Sequence, residues 1–141
     1  MGRHGYNEGD GNNWQYIKWA GMTASAARGK RGQAMLRELL AALDAMPDKK
    51  LITRSVVDED GCCCTVGALL KEKEVPYLDK LVAAWEDEDI LAEWNDDIAE
   101  DLDVSPVLLQ EIEYANDEMG FGESPSDRWF RMRAWVAGKL V

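Results

Sequence analysis

Residues 86–118 read EDEDILAEWNDDIAEDLDVSPVLLQEIEYANDE. Fourteen of these thirty-three positions are Asp or Glu and none is Lys or Arg. An acidic run of that density reads as a disordered tail when it lacks large apolar residues. This one does not lack them: Ile90, Leu91, Trp94, Ile98, Leu102, Val104, Val107, Leu108, Ile112 and Tyr114 recur through it. The stretch is therefore expected to fold, burying one face and lining the other with carboxylates.

Within it, Asp97 to Ile112 resembles a helix-turn-helix. Ala99 fills the small position of the first helix, Val104 the apolar turn position, and Ser105-Pro106 supplies a cap and a good first helical residue. Asp103 replaces the usual turn glycine, and Asp tolerates the left-handed conformation better than most residues. A recognition helix, however, must offer Arg, Lys, Asn or Gln to base edges while cations hold the phosphates. Here the second helix offers Gln110, Glu111 and Glu113, and the turn carries Asp101 and Asp103. That face repels DNA, so the motif is either architectural or a copy of the phosphate backbone shown to a DNA-binding partner.

On the C-terminal side, Asn116 to Gly120 ends the helix. Ser124-Pro125-Ser126-Asp127 starts another, with Ser124 as cap and Asp127 in the capping-box position. That last helix should bury Trp129, Met132, Val136 and Leu140, with Phe130 and Trp135 at its margins. Its Arg128, Arg131 and Arg133 are expected to pair with the acidic segment. On the N-terminal side, Asp87 or Asp89 caps a helix carrying Ile90, Leu91, Trp94 and Ile98, and Pro76 opens a helix to Trp85 with Leu78, Leu81 and Val82 inward.

Earlier in the chain, residues 1–13 are Gly- and Asn-rich and read as a flexible arm. Asn13 can cap a helix from Trp14 that packs through Trp14, Ile17, Gly21 and Met22. Arg28-Gly29-Lys30-Arg31-Gly32 reads as a turn. It fails the phosphate-loop pattern, because Arg31 stands where Ser or Thr would bind magnesium. Gln33 to Met46 is the clearest helix, with Met35, Leu36, Leu39, Leu40 and Leu43 on one side and Pro47 closing it. Leu51 to Val57 is β-branched and followed by Asp58-Glu59-Asp60-Gly61, which suits a short strand or hairpin. Cys62, Cys63 and Cys64 lead into a helix on which Cys64 and Gly67 share a closely packed face.

The chain has 141 residues, enough for one domain with its own core, and a net charge of -11. Residues 1–54 carry net +4 and residues 55–141 net -15. Such a surface repels nucleic acid and anionic lipid and attracts basic proteins. Three adjacent cysteines, an odd number, form no disulfide framework, which points to a reducing cytoplasm. No stretch has the length of a membrane span and the first residues do not form a signal-peptide core. The expected fold is mainly α: a flexible arm over 1–13, then a single helical domain over 14–141, a compact bundle of about six helices with room for one short strand or hairpin near 51–64.

Several blocks together resemble a family of uncharacterised proteins encoded by bacteriophages and prophages. They are Gly2-Arg3-His4-Gly5-Tyr6, Arg28 to Ala34, Leu36-Arg37-Glu38, Leu43 to Pro47, Cys64 with Gly67-Ala68, Tyr114 with Asn116-Asp117-Glu118, and Arg128-Trp129 with Arg131 to Val136. Cys62, Cys63 and the high acidity after Glu86 depart from that pattern. The resemblance implies a phage product working in the host cytoplasm and brings no catalytic residues with it. The expected role is a non-enzymatic binder, without metal or cofactor, that docks on a basic host protein in a nucleic-acid-handling or immune complex. Its contact residues are expected to be Asp96, Asp97, Glu100, Asp101, Asp103, Glu111 and Glu113. The alternatives are an adaptor using the basic residues Arg28, Lys30 and Arg31, and an enzyme resting on carboxylates alone.

Overall fold

Two helices meet at one glycine. Helix α1 (Asn13–Arg28) ends and α2 (Lys30–Ala45) begins on either side of Gly29, whose N–H bonds the Ser25 carbonyl at 3.1 Å. The break is thus shorter than the expected turn over 28–32, and Lys30, Arg31 and Gly32 are helical. Gly32 explains the tight reversal, since a Cβ there would run into the Ala26 carbonyl oxygen. Gln33 locks the corner: its buried amide donates to the carbonyls of Ala27 (2.7 Å) and Lys139 (2.9 Å) and accepts from the Val141 N–H. The computed structural model describes residues 2–4 and 13–141, with side chains at 2–4 and from Trp19 onward.

Helix α2 buries Met35, Leu36, Leu39, Ala42 and Leu43 and lies against α3 and α8. Burying one such Leu stabilises the fold by about 1.5–3 kcal/mol. On α1 the packing side differs from the expected one: Gly21 and Met22 face solvent, while Thr23 and Ala27 are buried. Trp14 and Ile17 lie outside the residues whose side chains are described.

No strand forms between residues 51 and 64. A single antiparallel bridge, Val57 to Cys63, closes a loop in which the Asp58 carboxylate accepts from the N–H groups of Asp60 and Cys62. Helix α3 (Thr65–Glu72) follows, and the absent side chain of Gly67 admits the Val56 carbonyl. The Sγ of Cys64 caps this helix by accepting from the Gly67 N–H at 3.4 Å.

Helices α4 (Leu78–Ala83), α5 (Glu88–Glu93) and α6 (Asn95–Asp101) are short. Asp87 caps α5, accepting from the Ile90 N–H. The single helix expected through Ile90, Leu91, Trp94 and Ile98 is divided at Trp94, which stacks on Tyr77 at 5.0 Å and sets Asn95 inward. This division contributes to the rise from about six helices to eight among the described residues.

Asp103 has φ +54°, the left-handed turn expected between α6 and α7 (Pro106–Glu118). Ser105 Oγ caps α7 through the Val107 N–H. Helix α7 is the hub, packing on α1, α3, α6 and α8 (Pro125–Lys139) and burying Leu108, Leu109, Ile112 and Ala115. Ser124 Oγ caps α8 through the Asp127 N–H, and Trp129, Met132 and Val136 face inward as expected. Among the described residues no helix is long and apolar enough to cross a membrane.

Candidate functional site

Helix α6 is only seven residues long, but it divides cleanly. Ile98 and Ala99 are buried, while Asp96, Asp97, Glu100 and Asp101 are exposed. Helical spacing places 96 over 100 and 97 over 101, so each like-charged pair repels its neighbour one turn away. Asp96 and Asp97 at least sit near the favourable N-terminal end, whereas Glu100 and Asp101 crowd the C-terminal end, where negative charge opposes the helix dipole. Glu86 and Asp87, just before α5, and Asp89 within it are exposed as well.

The arginines expected to neutralise this surface do other work. Arg131 binds the Glu123 carboxylate (Nη2 to Oε1, 2.6 Å) and the carbonyls of Ala115 and Asn116. Arg128 reaches the Leu51 carbonyl and Glu123, and Arg133 takes Asp44 (Nε to Oδ1, 2.6 Å). Among the described residues no ion pair reaches Asp96, Asp97, Glu100 or Asp101. Asp103 is exposed but pairs with Arg31 at 3.2 Å, joining the turn before α7 to the start of α2. Of the alternative basic contact, Arg28 and Lys30 stay exposed at the α1–α2 corner.

Two expected contact residues are placed differently. Glu111 is half-buried, and Glu113 is 2% exposed on the inner side of α7. Counting from Leu109, position 113 falls one turn on along the buried stripe, so a carboxylate there cannot meet an external partner. Burial pushes Glu113 up to about 8, outweighing the attraction of the nearby Arg3 guanidinium.

Comparison with protein-family models, with curated proteins and with solved structures finds no match to this chain.

Glu113 belongs to a second cluster, whose other members were not among the expected contact residues. Arg3, expected in the arm, is fully buried and grips Asp117 with two parallel bonds, Nε to Oδ2 at 2.9 Å and Nη2 to Oδ1 at 3.0 Å. Its Nη1 lies 3.5 Å from Glu113 and 3.4 Å from the Cys64 sulfur. His4 is also buried, meeting Tyr114 edge-on with ring centroids 5.2 Å apart and Glu118 at 3.5 Å. Arg3 and His4 are therefore not an exposed arm, because α7 offers them carboxylates and a ring; residues 5–12 lie outside the described residues.

The cluster is held from behind. Asp117 Oδ1 also accepts from the Arg54 N–H (3.1 Å) and the Asn116 amide (2.9 Å). Asn116 in turn accepts from the Thr65 hydroxyl and N–H and donates to the Ile52 carbonyl. Burial alone would raise the Asp117 carboxyl, but Arg3 and these hydrogen bonds outweigh it and hold the group below its ordinary range. The blocks Gly2-Arg3-His4, Cys64 with Gly67, and Tyr114 with Asn116-Asp117-Glu118 thus converge in space. Their shared presence among the family-like blocks was the available signal.

The cysteines divide by depth. Cys62 is exposed; burial pushes the Cys63 thiol up to about 12 and also raises Cys64 against the pull of Arg3. Beside α5 an open groove of about 1050 Å³ runs between Ile52, Arg54, Trp85 and Arg128, with Glu86 to Asp89 on its rim.

Proposed function

We propose that this protein is a phage-encoded, non-enzymatic binder that inhibits or modulates a basic, nucleic-acid-handling or immune complex of the host. Its working surface is the row of carboxylates on α6, Asp96, Asp97, Glu100 and Asp101, continued by Asp103. One observation carries the reading: these groups point outward from a well-buried helix while the arginines of α8 are engaged elsewhere. The carboxylates on α6 itself have no ion-pair partner among the described residues, and a cationic partner offsets their mutual repulsion on binding. The phage origin rests on the resemblance of the sequence blocks. Mimicry of a phosphate backbone accounts for a helix-turn-helix frame that carries acids where a DNA reader carries bases.

The test is capture from bacterial lysate on the tagged protein, with bound proteins identified by mass. The expected result is a nucleic-acid-binding protein that is released between about 50 and about 500 mM salt and displaced by duplex DNA. Retention of proteins indifferent to both salt and DNA overturns the proposal.

A further inference from the structure

The Arg3 slot has the features of a recognition site, beyond anything the acidic surface of α6 requires. It reads three separate elements of one short segment. Asp117 takes the guanidinium fork in a bidentate pair, the Asn95 amide donates to the Arg3 carbonyl at 2.9 Å, and Tyr114 and Glu118 receive the following imidazole. Bidentate arginine recognition of this kind is specific as well as strong.

The slot also exceeds what its occupant uses. The Oε1 atom of Glu113 is buried and has no hydrogen-bond partner, although the side chain faces the guanidinium. Asp117 and Glu118 face the guanidinium and the imidazole, and the buried Glu113 carboxyl adds a polar atom that the occupant leaves unpaired. Its receptor groups are fixed independently of the occupant: Asn116 and the Arg54 N–H hold Asp117 in place, and Asn116 is itself anchored to Thr65 and Ile52. A stabilising contact alone does not need this arrangement, because buried ion pairs are commonly no better than apolar packing of the same volume.

We propose that the slot formed by α7, the start of α3 and the α5–α6 junction is a binding site for an arginine-bearing peptide segment, with Arg3 and His4 as its resident intramolecular ligand. An Arg-His segment from another chain fills the same positions when the resident one is absent. The reading is independent of the acidic surface on α6, and neutralising that surface leaves it untouched.

The test uses the full chain carrying Arg3→Ala and His4→Ala, titrated by calorimetry with the blocked tripeptide acetyl-Gly-Arg-His-amide. Saturable one-to-one binding is expected, with the corresponding Gly-Lys-His peptide weaker by about tenfold or more, since lysine lacks the fork. Adding Asp117→Asn should abolish binding. If the double variant is unfolded by itself, recovery of its helical circular dichroism on adding the Arg-His peptide, and not the Lys-His peptide, is the supporting result. Absence of both binding and recovery, equal response to the two peptides, or binding that survives Asp117→Asn overturns the proposal.

Discussion

Arg3 and Asp117, 114 positions apart, form a bidentate pair in which both nitrogen–oxygen distances are 3.0 Å or less. The pair ties the beginning of the chain to the last turn of its central helix. Removing one member leaves a buried charge without its counterpart, which typically costs about 3–5 kcal/mol. Arg3→Ala should lower the unfolding free energy by that order in urea titration, and Arg3→Lys should recover only part of it. A loss below about 1 kcal/mol would show that the pair contributes little.

The same cluster gives stability a pH signature. Glu113 is raised from 4.5 to about 8 in the folded protein. Between those values the folded state holds a proton that the unfolded state has released, so this group's contribution is full below about 4.5 and is lost as pH rises through about 8. The limiting slope is about 1.4 kcal/mol per pH unit. Asp117 behaves in the opposite sense, since its lowered carboxyl contributes above its ordinary 3.8 and is lost as pH falls below it. Glu113→Gln should flatten the fall between about pH 5 and about 8 relative to the parent. Parallel pH profiles for the two proteins would contradict the assignment.

Close packing at two glycines allows a steric contrast. Gly32→Ala and Gly67→Ala drive a methyl group into the carbonyls of Ala26 and Val56, and each should cost about 1–3 kcal/mol. Gly21→Ala, on the exposed side of α1 with nothing within 4 Å of the new carbon, should stabilise by about 0.5–1 kcal/mol. Thermal melts of the three variants check the order.

Helix α6 should be more stable without its charges. Glu100→Gln with Asp101→Asn removes two like-charge contacts and two acids from the unfavourable end of the helix. The melting temperature should rise slightly, and the rise should shrink as salt screens the repulsion. A fall in melting temperature would mean that these carboxylates have stabilising partners.

Much of this architecture could be read from residue spacing. The apolar repeat on α2, the Ser124-Pro125 start of α8, the Ser105-Pro106 start of α7 and the left-handed Asp103 all follow local chemistry, which the sequence displays directly. The division at Trp94 did not, because it depends on Asn95 turning inward to meet a carbonyl 92 residues away. Arg3 and Glu113 were hidden for the same reason: a charged residue reads as exposed until its distant partner is known. The outward carboxylates of α6 were legible, since Ile98 and Ala99 fix the buried side of the helix and leave the acids no other direction.

The surface of α6 is tested most directly by comparing the parent chain with a variant carrying Asp96→Asn, Asp97→Asn, Glu100→Gln and Asp101→Asn. Both would be titrated against the same captured basic partner at about 100 mM salt, near physiological screening. The account predicts that the variant keeps its helical content, with a melting temperature no lower than the parent's, while affinity falls by about a hundredfold or more, as expected for losing several complementary charges. Unchanged affinity in a folded variant would contradict it.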